Sequence, residues 1–344
     1  MFSTFLHPKI INVSYNKFDS KPIPLPIKRN KLLGLEIREI IQLNSSSRAK
    51  FSCFHSNDDK EHPWIAVAFH SGEIKVFEYD GNTVFTIEDA DPHIPKRCVK
   101  FIERLNSLIF GSDSFSIWIY NYVVKTLEKV TEGHLDYIRC LCVHPRLPYL
   151  ISCADDQTIR LWNWENNWKL EEVFTGHEHY IMYICMHPDN PNIIASGSLD
   201  STVRVWNFNM DEKYEAFSNN RHQKEYPYYQ QNIRVLSPPK TNPLLTTLKG
   251  FQAGVDCVDF YKGSDPEKRN WLVASADDKT VRIFDWKRSQ CVTVIPALHS
   301  NNVLSCLFEK DILFTGKLAL IILTLHRRRR SCCERFECPF ACLD

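Results

Sequence analysis

Apolar residues along most of this chain fall in short alternating runs, each closed by a cluster of Gly, Asp, Asn, Ser or Pro. Ile138, Cys140 and Cys142 alternate with polar neighbours, Tyr149 to Ala154 is almost continuously apolar, and Ile159 and Leu161 alternate again up to Trp162. Period-two runs broken by turn residues predict β-strands, and a continuous apolar run of that length predicts a strand covered on both faces. The same order returns one repeat later. Gly133 to Trp162 and Gly176 to Trp206 superimpose almost without gaps: each opens on Gly-His, passes through His-Pro (His144-Pro145, His187-Pro188), and reaches Ser152 or Ser196. Each then turns at Asp156 or Asp200 and ends at Trp162 or Trp206, with 43 positions between His134 and His177. A repeat of this size, built from strands alone, is the signature of a four-stranded propeller blade.

Fainter copies flank the pair. Arg48 to Tyr79 carries His55, Gly72 and Phe77 where tryptophan is expected, and Arg97 to Tyr122 is a second degenerate copy. Gly250 to Trp286 keeps Ser275, Asp278 and Phe284 but has Phe251 in place of histidine, and a sixth copy runs from His299 to Gly316. The expectation is an all-β WD40-type propeller spanning 33–316, with five blades, part of a sixth and an incomplete ring. In the strong copies, His134, Ser152, Asp156 and Trp162 (then His177, Ser196, Asp200 and Trp206) form a buried polar network tying loop, turn and strand. Their composition mimics a Ser-His-Asp catalytic set. A catalytic set would not be copied blade after blade, so the network is structural.

Residues 209–243 interrupt the fourth copy with Asn, Gln, Tyr, Lys and Pro and no apolar periodicity, which predicts an exposed, largely disordered loop. Residues 1–32, with Pro22, Pro24 and Pro26, predict a weakly ordered arm. After Gly316 the repeat stops: 317–344 holds an apolar run, Arg327 to Arg330, and Cys332, Cys333, Cys338 and Cys342, which reads as a truncated or misassembled ending. That cysteine spacing lacks paired Cys-x-x-Cys ligands, so no metal is expected. Leu318 to Leu325 has eight residues, too few for a bilayer span of about 20. With 42 Lys plus Arg against 41 Asp plus Glu, no global field recruits nucleic acid. The 13 cysteines, scattered singly through apolar runs, suggest reduced buried thiols of a cytosolic protein.

Aligning the copies on His-Pro exposes one position the repeat leaves free. It is Lys50, Arg97 and Arg139 in the first three copies, then Met182 and Asp256. Three cations at one blade position repel unless an anion sits among them. Arg48 adds a fourth, while Asp136 and Asp155 supply negative charge beside them. A short peptide with a free carboxy-terminus and a lysine a few residues back fits this pattern, as does a plain solvated surface.

The stretches Glu165-Asn166-Asn167-Trp168, Gly176 to Tyr180, and His134 to Arg139 resemble the amino-terminal propellers of the coatomer vesicle coat. Ala154 to Arg160 is also similar to the alpha subunit, whereas Glu165 to Trp168 and Gly254 to Tyr261 look more like beta-prime. The resemblance implies recognition of dilysine signals (KKxx or KxKxx) at the cytosolic ends of membrane cargo in Golgi-to-ER and intra-Golgi transport. It places carboxylate-binding residues on Arg48, Lys50 and Arg97, lysine-binding residues on Asp136 and Asp155, and a lining residue on Arg139. A family tyrosine near the lysine pocket falls on His70. It further implies partnership with the alpha and epsilon coat subunits and peripheral membrane association, in the cytoplasm and on Golgi membranes and COPI vesicles. A general WD40 scaffold is the second reading. No phosphate loop, nucleophile elbow or metal-ligand motif points to an enzyme or a cofactor.

Overall fold

A computed structural model describes residues 10–12, 40–42, 47–55, 64–78, 81–87, 93–130, 133–225, 243–296, 303–309, 312–316 and 341–343. Five four-stranded antiparallel sheets follow one another, each in simple sequence order. Blade one comprises Ala49–Phe54, Ile65–Phe69, Ile74–Phe77 and Thr83–Ile87. Blade two comprises Lys96–Ile102, Ser107–Ser112, Ile117–Asn121 and Thr126–Lys129. Blades three to five begin at Ile138–Val143, Ile181–Met186 and Val255–Phe260. First strands of consecutive blades pack against one another, so they form the inner wall. The sixth sheet pairs Ser305–Glu309 antiparallel with Ile312–Gly316, and the described residues do not close the ring.

The core lies between blades rather than within them. One apolar cluster joins blades one and two through Val76, Val99 and Phe110, and the next joins blades two and three through Ile119, Leu150 and Trp162. Others join three to four, four to five and five to six. Hence the second strands, sandwiched on both faces, are buried throughout, as in Tyr149–Ala154 and Ile193–Ser198. Outermost strands such as Lys169–Phe174 instead alternate exposed and half-buried positions. The apolar runs of the sequence are therefore inter-blade surfaces.

The His-Pro positions have a local reason as well. The His144 Nδ1 accepts the backbone N–H of Leu147 at 2.8 Å and of Arg146 at 3.2 Å, and His187 does the same for Asp189 and Asn190. Burial holds both imidazoles below the usual histidine range, His144 to about 4, which keeps the accepting nitrogen unprotonated.

Three elements differ from the sequence reading. Met210–Glu225, expected as disordered loop, is an α-helix. Its start is pinned: Met210 is fully buried, the Asn192 Oδ1 accepts the Met210 N–H at 2.7 Å, and Phe208 stacks on Phe174 with centroids 3.8 Å apart. Asp211 and Glu212 in the first turn add favourable charge at the helix N-terminus. Within the arm, Ile10–Asn12 pairs in parallel with Ile40–Gln42, and within 317–344, Ala341–Leu343 pairs in parallel with Phe314–Gly316. The remainder of the insertion (226–242), of the arm and of the ending, including Arg327 to Arg330, Cys332, Cys333 and Cys338, lies outside the described residues, as does His299.

Candidate channel-mouth site

Every blade from one to five carries a register break between its first and second strands, and the residue left out of the pairing is the variable position. In blade one Ala49 faces Phe69 and Phe51 faces Ala68, leaving Lys50 over. The same break leaves over Arg97, Arg139, Met182 and Asp256. A β-bulge inserts an unpaired residue and turns the strand locally, so its side chain leaves the alternation of the sheet. The bulge is thus the device that presents one side chain per blade at one end of the inner wall.

Each bulge residue has a fixed companion just after the second strand. The backbone N–H of His70 donates to the Arg48 carbonyl (2.8 Å), that of Asp113 to Pro95 (3.0 Å), that of Asp155 to Tyr137 (3.0 Å), that of Leu199 to Tyr180 (2.9 Å), and that of Asp277 to Gly254 (2.9 Å). Around the mouth the pairs are therefore Lys50 with His70, Arg97 with Asp113, Arg139 with Asp155, Met182 with Leu199, and Asp256 with Asp277. Charge runs from positive through neutral to negative.

Blades two and three compensate internally. The Arg97 Nε and Nη2 donate to both Asp113 oxygens at 2.5 and 2.6 Å, and the Arg139 Nε and Nη2 donate to both Asp155 oxygens at 2.6 and 2.5 Å. Asp155, with a side chain only 2% exposed, is thus held by Arg139 through both of its oxygens. The carboxylate that sequence reasoning missed is Asp113, which repeats the register of Asp155 and whose signal was legible there. Asp136 is half-buried, and one of its oxygens accepts the Tyr137 N–H at 2.8 Å.

Blade one differs because an imidazole stands where its neighbours have carboxylates. Lys50 and Arg48 have no ion-pair partner among the described residues. Burial, then Arg48 and Arg97, lower the Lys50 pKa to about 8, with Arg139 adding to the effect. His70 was expected at the edge of a lysine pocket. It lies among the cations instead: burial, Lys50, Arg97 and Arg48 all push its pKa down, which keeps it neutral. The uncompensated positive charge of the mouth is therefore concentrated on blade one.

At the opposite end of the charge series, burial and the adjacent Asp277 raise the Asp256 pKa well above the carboxylate range. One Asp256 oxygen is buried without a hydrogen-bond partner. A carboxyl pair in this state holds a proton near neutrality that the unfolded chain has already released in the ordinary carboxylate range, around 3.8. Its stabilisation is present at low pH and fades as pH rises through the raised pKa. Asp256→Asn is accordingly expected to raise the melting temperature relative to wild type, with an advantage that grows from pH 6 to pH 9; an equal difference at both values would contradict the shared proton.

Side-chain hydrogen bonds join the polar groups of blades three and four. Asp156 accepts the backbone N–H groups of Leu135 and Thr158 and the Thr158 hydroxyl; against the cost of burial, its hydrogen bond with His134 and then those from Leu135 and the Thr158 hydroxyl hold its carboxyl well below the usual range. Being acceptor-only, it requires the proton on His134 Nδ1, 2.8 Å away. The His134 Nε2 then accepts from Ser152 Oγ (2.6 Å), which accepts from Trp162 Nε1 (2.8 Å). His177, Ser196, Asp200 and Trp206 repeat the chain at 2.7, 2.7 and 2.8 Å. In blade five, Asp278 keeps its turn contacts, but Phe251 and Phe284 replace histidine and tryptophan, so Ser275 lacks both of those partners.

These repeats define a WD40 β-propeller with a graded ring of charge at one mouth. The WD domain, G-beta repeat family matches residues 125–163, 168–207 and 242–285, and the chain belongs to the WD40-repeat proteins, within which it is coatomer beta-prime-like. It is 33% identical over 280 residues to coatomer subunit beta'-1 of Arabidopsis thaliana, covering 81% of this chain and 26% of that protein. It is 34% identical over 257 residues to coatomer subunit beta' of Rattus norvegicus, covering 74% and 23%. Nuclear distribution protein nudF of Aspergillus niger is 27% identical over 197 residues, covering 57% and 37%. The chain spans about a quarter of the length of the coatomer subunits it matches. Among the described residues no helix is long and apolar enough to cross a membrane.

Proposed function

We propose that this propeller is a non-catalytic, COPI-type coat module whose channel mouth reads the carboxy-terminal dilysine signals of membrane cargo, working with alpha and epsilon coat subunits on the cytosolic face of Golgi membranes. The observation that carries the reading is the charge series. Arg48, exposed, and Lys50, partly desolvated, neither with an ion-pair partner among the described residues, suit a peptide carboxylate; Arg97 borders them; Asp136, in the loop entering blade three, and Asp155, just after that blade's second strand, offer acceptors for a lysine ammonium. Asp155 and Arg139 act as one unit, since a carboxylate holding a bidentate guanidinium still has free lone pairs for an ammonium. His70 borders the carboxylate end. A WD40 scaffold without signal recognition would place no premium on the carboxylate.

Titration of a peptide ending in Lys-Lys-x-x, as free acid and as amide, separates the two. The free acid is expected to bind and the amide to bind far more weakly; equal binding of both would favour the scaffold. The low Lys50 pKa adds a second expectation. Above about pH 8 the free ammonium is lost, and a bound carboxylate favours the charged form, so affinity falls as pH rises through that value. Lys50→Arg, which stays charged, is expected to flatten the profile measured from pH 6.5 to 9.5. An unchanged pH slope would remove Lys50 from the carboxylate site.

A further inference from the structure

We propose that Phe115 and Tyr137 form an aromatic platform beside the carboxylate site, which takes an apolar side chain from the last or next-to-last residue of the peptide and so selects among lysine-bearing signals. The inference rests on the reading above and adds a specificity determinant to it.

Phe115 occupies the third position of the turn between the second and third strands of blade two, with a left-handed φ of 64°. The equivalent positions of blades one, three, four and five are Gly72, Gln157, Ser201 and Lys279, with φ of 93°, 65°, 65° and 66°. Glycine or a small polar residue suits that backbone, whereas a bulky aromatic is strained there. Burial does not repay the strain, because Phe115 is 38% exposed. Its ring lies 5.7 Å from that of Tyr137, tilted by 45°, and Tyr137 is itself 37% exposed. The Arg97 guanidinium sits 5.0 Å from the Tyr137 ring centroid while its Nε and Nη2 grip Asp113. One side of Arg97 thus borders Lys50 and its uncompensated charge, and the other borders a strip of exposed aromatic surface.

A residue spans at most about 3.6 Å of extended chain, so a side chain next to a carboxylate held beside Arg97 falls within reach of this strip. Strained, exposed aromatic surface at a charged mouth is surface for a ligand, since aromatic pairing contributes beyond area burial once the partner arrives.

The test is fluorescence anisotropy with peptides ending in Lys-Lys-Ser-Phe, Lys-Lys-Phe-Ser and Lys-Lys-Ser-Ser, against wild type and Phe115→Ser. Wild type is expected to prefer at least one phenylalanine peptide about tenfold over the all-serine peptide. Phe115→Ser is expected to lose that preference and to keep its affinity for the all-serine peptide. Serine occupies the same turn position in blade four, so the variant's melting temperature should not fall. Equal binding of all three free-acid peptides by wild type, or an undiminished preference in Phe115→Ser, would overturn the platform while leaving signal reading intact. If free-acid and amidated peptides bind alike, or none binds at millimolar concentration, the carboxylate reading fails and the platform falls with it.

Discussion

Lys50→Glu is expected to abolish measurable binding of peptides with a free carboxy-terminus while leaving the fold intact. Lys50 stands at a bulge, outside the ladder pairing of its strand, and has no ion-pair partner among the described residues, so its removal orphans nothing. The reversal replaces attraction by repulsion at a partly desolvated position, with a cost of roughly 2 to 5 kcal/mol. Arg97→Glu is a poorer probe, because it sets a second carboxylate against Asp113, whose side chain is only 9% exposed. Loss of binding there would mix ligand recognition with structural damage. Isothermal titration checks the Lys50 variant, and retention of wild-type affinity would exclude blade one from the site.

Asp156→Ala is expected to destabilise the protein by about 3 kcal/mol, since a buried imidazole N–H, two backbone N–H groups and a hydroxyl lose one acceptor together. The pH dependence follows from the depressed pKa of Asp156. Its contribution is present above the unfolded carboxylate pKa, 3.8, and is lost as pH falls through the native value. The gap between wild type and variant in urea titrations should therefore be constant from pH 8 to 5 and narrow in stronger acid. A variant of unchanged stability would show that the network is not structural.

Much of the fold was legible because a propeller repeats its physics. Inter-blade burial imposes a continuous apolar second strand in each blade, and His-Ser-Asp-Trp marks the two blades in which the turn is tied completely. Phe251 and Phe284 hid the fifth blade only in part, as Asp278 still closes its turn. The helix Met210–Glu225 was not legible: it has no apolar face, and what fixes it is one buried methionine and the side chain of Asn192, which arrives from the turn between the first and second strands of the same blade.

The candidate site was legible as a register and not as a set of contacts. Alignment on His-Pro located Lys50, Arg97, Arg139, Met182 and Asp256 without revealing that each is a bulge residue. It also left unseen that the companion position decides the charge state. Asp113 and Asp155 neutralise their arginines, His70 leaves Lys50 unbalanced, and burial beside Asp277 keeps a proton on Asp256. Such pairing depends on the distance between the ends of two strands, which spacing along the chain does not reveal.

The most direct test is a double-mutant cycle between protein and peptide. Affinities would be measured for wild type and Lys50→Gln, each with a Lys-Lys-x-x peptide as free acid and as amide. Direct contact predicts a coupling of about 1.5 kcal/mol or more, with amidation costing far less in the variant than in wild type. Additive effects, with amidation equally costly in both proteins, would contradict the assignment of the blade-one cations to a peptide carboxylate.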